Sequence, residues 1–169
     1  ERAGREMTVQ AVLRYPDPRL RIAAEPVQAF DPALRVLAGD LLETMRAAPG
    51  IGITAPHVGI ARRLVVLELS PGAVRTYVNP RIVWSSPETA RHVEGSISMP
   101  GVSETVERPA RVRVSYQDLD GGERIEEAEG FPAACHQHEI DQLDGVFWIQ
   151  RLSRLRRDRV VKRFGKLPG

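Results

Sequence analysis

Apolar residues recur at intervals of three and four along the segment that follows Asp31 and Pro32. The recurring positions are Leu34, Leu37, Leu41, Leu42 and Met45. An aspartate followed by a proline is a typical helix start, and Pro49 and Gly50 interrupt the periodicity. The pattern therefore predicts an amphipathic helix of about four turns.

Two further helices are predicted in the last quarter of the chain. One runs over about residues 132–143 and is stopped by Gly145. The other begins near Ser153, which is a suitable N-cap residue. Its apolar positions at helical spacing are Val160, Phe164 and Leu167.

Short β-like runs lie between these helices, at residues 64–69, 76–78 and 82–84 and at the alternating residues Val112, Val114 and Tyr116. Asp120, Gly121 and Gly122 supply a hairpin turn before Ile125. Because the strands cluster without a repeating βα pattern, we expect an α+β domain. Residues 7–169 are predicted to form this single domain, and residues 1–6 are interpreted as an N-terminal extension or a remnant of expression.

The composition fits one globular domain, with 169 residues of which 42% are hydrophobic and 27% charged. The chain has one cysteine, Cys135, so it cannot form an internal disulfide. It also has no charge-free apolar run near the roughly 18 residues that a membrane span requires. These features predict a cytoplasmic protein with no membrane contact.

Positive charge is concentrated at the C-terminal end. Residues 150–169 contain eight basic residues and one acidic residue, a local charge of +7, whereas the remaining 16 basic and 21 acidic residues give −5. Such a tail is suited to an acidic partner such as RNA, although a solvated terminal helix explains it equally well. No DNA partner is expected.

Three segments carry the candidate chemistry: GIGITAPHVGI at 50–60, EGSISMP at 94–100 and QHEIDQLDG at 137–145. His138 and Gln142 stand four residues apart, so both side chains project from one face of a helix. This is the spacing of the HExxH metal helix, in which two imidazoles bind the metal and the intervening glutamate handles a proton. Glu139 occupies the position of that glutamate, but the second imidazole is missing.

Taken together and in this order, the three segments resemble the peptide deformylases, metal hydrolases that remove the formyl group from the starting methionine of nascent chains. The family shows GΦGLAAxQ, where Φ is apolar, followed by EGCLS and QHExDHLxG. The resemblance extends from about residue 7 to residue 167. It implies antiparallel or mixed β-sheets around a central helix that carries the HExxQ motif, with a C-terminal helix.

The resemblance also implies which residues occupy the catalytic positions. The family holds Fe²⁺ or Zn²⁺ with the cysteine of EGCLS and the two histidines of HExDH, and here these positions are Ser96, His138 and Gln142. The general acid and base corresponds to Glu139, and His57 replaces the glutamine that helps to hold the formyl oxygen. Because a serine hydroxyl and an amide are weak replacements for a thiolate and an imidazole, we expect the metal to be absent or weakly bound.

By the same resemblance, a groove for an N-terminal, formylated peptide is expected. Its substrate-binding positions are Ile51, Gly52, Gly95, Phe131, Ala134 and Cys135. The backbone amide of Ile97 corresponds to the family's oxyanion donor. Glu94 and Arg108 match a pair that braces the adjacent strand, and a surface salt bridge is the alternative. The basic C-terminal helix suggests docking at the ribosome.

Several hypotheses remain open at this stage. The hydrolase activity on the linear formyl amide is weakened or lost, or the chain is a non-catalytic homologue that binds N-terminal peptides or the ribosome, or it is a hydrolase for another small amide or ester. A rebuilt metal site could use His57, His138 and Glu139. Alternatively, Ser96 could act as a nucleophile with His138 as its base. Cys135 is interpreted as a packed residue and not as a ligand.

Overall fold

The computed structural model describes residues 8–169, so the interpretation of residues 1–6 as an extension concerns residues outside those described and stays a prediction. The described part contains three α-helices: α1 (Pro32–Ala47), α2 (Phe131–Leu143) and α3 (Arg154–Gly165). It contains seven strands: β1 (Gly52–Thr54), β2 (Leu64–Glu68), β3 (Val74–Ser85), β4 (Thr89–Ser96), β5 (Met99–Pro109), β6 (Arg111–Gln117) and β7 (Glu123–Glu129). The α+β class is thereby confirmed.

Helix α1 begins where the sequence predicts it. The Asp31 carboxylate accepts a hydrogen bond from the Leu34 amide at 3.0 Å and caps the helix. Leu34, Leu41 and Met45 are buried in a cluster with Ile53 and other residues of the first two strands. The apolar stripe therefore fixes α1 against β1 and β2.

The main sheet has five antiparallel strands in the order β1-β2-β3-β6-β7. The runs at 76–78 and 82–84 are parts of the single strand β3, whose register against β6 shifts between Val78 and Arg81 and again between Ile82 and Trp84. Asn79 lies at this irregularity with a φ of 51°, and its side chain accepts from the Val27 N–H and donates to the Val27 carbonyl. A polar residue and a proline at 79–80 broke the apolar pattern without ending the strand.

Strands β4 and β5 form a separate two-stranded antiparallel hairpin that the apolar pattern did not predict. Most β4 side chains are exposed or half-buried, so the strand lacks the alternation on which such predictions depend. Val106 and Met99 of β5 nevertheless pack into a cluster with Trp148 and Phe147. This packing holds the hairpin against the C-terminal part of the chain.

Helix α2 lies at the centre of the fold. Nine of its 13 residues are buried, and it contacts strands of both sheets. It begins at Phe131 and ends at Leu143, within one residue of the predicted bounds. Buried polar side chains on a helix usually have hydrogen-bond partners, and some of those on α2 line the candidate site.

Helix α3 is capped by Ser153, whose Oγ accepts from the Arg156 amide at 3.3 Å, as predicted. Val160 and Phe164 are buried. Leu167, in contrast, lies outside the helix, which ends at Gly165, and it is 38% exposed. Among the described residues, no helix combines the length and apolar character that a membrane crossing requires.

Candidate functional site

One cavity of about 460 Å³ lies between α2, the loop that leads into β1, and the end of β4 with its turn. The structure places eleven of the twelve predicted site residues around it. These are Ile51, Gly52, His57, Gly95, Ser96, Ile97, Phe131, Ala134, Cys135, His138 and Glu139. Only Gln142 does not line it.

Glu139 enters the cavity from α2 and is 6% exposed. Its Oε2 lies against the α-carbon of Gly52, where a side chain would have no room. Its Oε1 is buried and has no hydrogen-bond partner among residues 8–169. Burial raises the pKa of this carboxyl, and the nearby His138 opposes the rise only in part.

Replacing Gly52 with alanine is expected to lower the free energy of unfolding by about 1–3 kcal/mol, because the new Cβ would overlap Glu139 and would lie 2.9 Å from Leu67 Cδ2. Gly165→Ala is the matched control, since a Cβ there meets no atom within 4 Å. Chemical denaturation of both variants checks this. Equal stability of the two variants would contradict the close approach of Glu139 to β1.

His138 anchors a chain of buried ion pairs. Its Nδ1 lies 2.9 Å from Glu94 Oε1, and Arg108 donates to both oxygens of Glu94 at 2.6 and 3.0 Å. Arg108 also donates to Asp141 at 2.8 Å, and Arg151 donates to both oxygens of Asp141. The Glu94–Arg108 pair is therefore buried, with side chains 7% and 5% exposed, and is not a surface salt bridge.

These contacts determine the protonation of Glu94 and of the His138 imidazole. Burial alone would raise the pKa of Glu94, but hydrogen bonds from His138 and Arg108 lower it to about 2. Burial would lower the pKa of His138, but the carboxylates of Glu139 and Glu94 more than offset this and raise it. Since an ionised carboxylate only accepts hydrogen bonds, His138 Nδ1 carries the proton that it shares with Glu94.

The depressed pKa of Glu94 makes stability depend on acid pH. A lowered folded-state pKa contributes stability above about pH 4.5, and that stability is lost as the pH falls toward about 2. In this window we expect the unfolding free energy of Glu94→Gln to change less steeply than that of the wild type, by up to about 1.4 kcal/mol per pH unit. Urea titrations at several pH values measure the slope. The exposed Glu123→Gln should keep the wild-type slope, and an unchanged slope in Glu94→Gln would contradict the ion pair.

His57 lies in a short 3-10 helix, Ala55–Val58, and is 1% exposed. Its Nδ1 accepts from the Thr54 amide at 2.9 Å, so the proton of the neutral ring is on Nε2. Burial, assisted by His138, lowers the pKa of His57 to about 3. The ring is therefore a neutral N–H donor at pH 7.

Two of the residues at the predicted metal-ligand positions make hydrogen bonds to backbone groups. Gln142 is 2% exposed, and its Nε2 donates to the Leu20 carbonyl at 2.7 Å, away from the cavity. Ser96 Oγ accepts from the Ser98 amide at 3.0 Å. Within residues 8–169, no group of three or more His, Cys, Asp or Glu side chains is placed to hold a metal ion. A rebuilt site of His57, His138 and Glu139 is therefore not supported.

The hypothesis of a Ser96 nucleophile with His138 as its base also lacks support from the geometry. No hydrogen bond joins Ser96 to His138 in the described part of the chain. Cys135 is half-buried and lines the cavity. Burial, together with Glu139 and Glu94, raises the pKa of Cys135 to about 12, which keeps it a thiol.

Sequence reasoning missed three contributors to this site. Val93, 64% exposed on β4, lines the mouth of the cavity. Asp141 and Arg151 extend the ion-pair chain beyond Arg108. Helical spacing could have identified Asp141, because it follows His138 by three residues and residues three apart share a helix face. Arg151 comes from a different element, so no local pattern pointed to it.

Known proteins resemble this chain in both sequence and fold. The model of the polypeptide deformylase family matches residues 9–158. A peptide deformylase-like protein of Brucella suis biovar 1 is 66% identical over 162 residues, covering 95% of this chain and 99% of that protein. A peptide deformylase of the same strain is 46% identical over 165 residues, covering 95% and 94%.

Solved structures show the same relationship. A crystal structure of peptide deformylase from Ehrlichia chaffeensis in complex with actinonin superposes with a TM-score of 0.89 at 36% identity, covering 95% of this chain and 98% of that chain. The family match spans most of the sequence and both relatives span nearly all of it. This chain therefore belongs to the polypeptide deformylase family.

Proposed function

We propose that this chain binds the N-terminal end of an extended peptide in its cavity and has lost metal-dependent deformylation. The deformylase family is metal-dependent and acts on nascent formyl peptides. The observation that carries the proposal is the position of Gln142, whose amide is bound to the Leu20 carbonyl outside the cavity. With Ser96 as a neutral hydroxyl, one strong ligand of the family's three remains, and Fe²⁺ or Zn²⁺ would lack a closed site.

Loss of the metal removes the family's route to a nucleophile. When bound, such a metal lowers the pKa of water so that hydroxide forms near neutral pH. Glu139 alone provides a carboxyl group and no Lewis acid. We therefore expect formyl-peptide hydrolysis to be weak or absent.

The groove that would receive a peptide is retained. β1 is at one end of the five-stranded sheet and β4 pairs only with β5, so each keeps an edge that no described strand covers. An extended peptide can add to such an edge through its backbone. Ile51, Phe131 and Val93 place half-exposed apolar side chains at the mouth of the cavity, where they suit an apolar first side chain.

The proposal is tested by measuring binding and turnover in the same preparation. Isothermal titration of Met-Ala-Ser peptides, formylated and free, should show binding in the presence of EDTA, and formate release should remain near background. Turnover at ordinary deformylase rates that EDTA abolishes would contradict the loss of metal chemistry. Turnover that Ser96→Ala abolishes but EDTA does not would favour a hydrolase that uses Ser96 as its nucleophile. Absence of any peptide binding would contradict the retained groove.

We also propose that the basic C-terminal segment docks on the ribosome. Arg156 and Arg163 of α3 donate hydrogen bonds to the backbone carbonyls of Thr105 and Ser103 in β5. Five other basic residues of this segment are exposed: Arg151, Arg154, Arg159, Lys162 and Lys166. Contacts with RNA phosphates weaken as salt rises. Co-sedimentation with ribosomes should therefore fall between low and high salt, and salt-independent or absent binding would contradict the docking.

A further inference from the structure

We infer that a second pocket, separate from the cavity, binds a phosphate group. This arginine pocket has a volume of about 450 Å³ and shares no lining residue with the cavity. It lies between α2, β3 and the end of β5, and it reaches the 3-10 helix Trp148–Arg151. The inference does not depend on the proposed peptide binding, because the two sites have no residue in common.

Charged side chains make up most of the lining of the arginine pocket. Four arginines and three acidic residues line it, which leaves a net charge of +1. The arginines are Arg63, Arg81, Arg108 and Arg151, and the acidic residues are Glu107, Asp141 and Asp144. A guanidinium group presents several N–H donors in a fixed plane, and it binds phosphate or carboxylate oxygens. The lining therefore suits an anion.

The acidic residues of the arginine pocket are already engaged. Asp141 accepts hydrogen bonds from two of the arginines, and Asp144 accepts one from a third. Glu107 accepts from the hydroxyl of Thr89, which lies outside the pocket. Three of the four arginines are thus paired with carboxylates, and the positive charge that remains is that of the fourth.

Arg81 is this fourth arginine. It belongs to β3, is exposed, and makes no hydrogen bond or ion pair with any residue in the range 8–169. Ser85 of the same strand also lines the pocket, and its hydroxyl has no partner in that range. From a different element, Arg151 uses Nε and Nη2 on Asp141 and keeps the N–H groups of Nη1. Donors from two elements are therefore available to one ligand.

Phosphate suits this set of donors better than a carboxylate does. A phosphate monoester carries three strong acceptor oxygens and up to two negative charges. A carboxylate has one charge and two oxygens that lie in a single plane. Donors that reach the pocket from β3 and from the 3-10 helix can each bind a different phosphate oxygen. A small phosphate ester and an RNA with a 5′-phosphate both carry this group.

The inference is tested by isothermal titration of the full chain with inorganic phosphate at pH 7, in EDTA and at constant ionic strength. We expect one phosphate per chain, and binding about tenfold or more weaker in Arg81→Gln, because the variant loses a charge-assisted hydrogen bond. Arg75→Gln is the matched control. Arg75 is exposed on the same strand, has no hydrogen bond or ion pair in the described part of the chain, and lines a different pocket.

Several results would overturn the inference. These are the absence of saturable phosphate binding, an unchanged affinity in Arg81→Gln, and an equal loss of affinity in Arg75→Gln. Acetate that binds as tightly as phosphate would also overturn it, since the pocket would then select negative charge alone. Because Arg81 is exposed and unpaired, its replacement should leave the fold intact, and an unchanged thermal unfolding temperature checks this.

An RNA of eight nucleotides with a 5′-phosphate identifies the source of the phosphate group. Displacement of inorganic phosphate by this RNA, weakened in Arg81→Gln, would support the pocket and assign it to RNA. Binding of inorganic phosphate that the RNA does not displace would support the pocket and assign it to a small phosphate ester.

Discussion

Replacing Arg108 with methionine is expected to lower the free energy of unfolding by about 3–5 kcal/mol. Arg108 is 5% exposed and is bound to Glu94 on one side and Asp141 on the other, both buried. The substitution would leave the buried Glu94 with only His138 as its partner. It would also remove the link between the cavity and Asp141.

Denaturation by guanidinium chloride measures this loss. Arg91→Met is the matched control, because Arg91 is 73% exposed and its pairing with Glu107 spans 3.6 Å. An exposed pair of this kind contributes under about 1 kcal/mol. If Arg108→Met were no more destabilising than Arg91→Met, the buried ion-pair chain would not hold β4 and β5 to α2.

Restoring the family's ligands should have two opposing effects. The double variant Ser96→Cys with Gln142→His is expected to be less stable without metal, by about 1–3 kcal/mol, because the Leu20 carbonyl loses its buried donor. With Zn²⁺ at about 1,000 times its dissociation constant, the unfolding free energy should rise by about 4 kcal/mol. One zinc per chain is expected.

The measurements are zinc stoichiometry and denaturation with and without zinc. Ser96→Ala with Gln142→Leu is the control, since it breaks the same Leu20 contact and adds no ligand. A folded double variant that takes up no zinc would show that these positions do not correspond to the family's ligands. Zinc uptake by the control would point to a site elsewhere.

The helices were predictable where the capping residue and the spacing of apolar residues indicated the same helix. Asp31 and Ser153 start α1 and α3 because their side chains accept the first free amides of each helix. The hairpin of β4 and β5 was missed because β4 is mostly exposed or half-buried, and its packing depends on Trp148 and Phe147, more than 35 residues away in the sequence.

The site was predictable as a set of positions but not in its contacts. Eleven of the twelve predicted residues line one cavity because the matching motifs occupy the same places in the fold. The orientation of Gln142 depends on a carbonyl at Leu20, 122 residues earlier, and helical spacing alone placed it on the face of His138. Spacing fixes the face of a helix, whereas the partner across the interface decides what the side chain binds.

We propose that this chain has lost the family's metal site, and the most direct test is the metal content of the purified protein. Inductively coupled plasma mass spectrometry after dialysis against micromolar Zn²⁺ or anaerobic Fe²⁺ should find well under one ion per chain. One tightly retained ion per chain, lost when His138 is replaced by alanine, would contradict the claim.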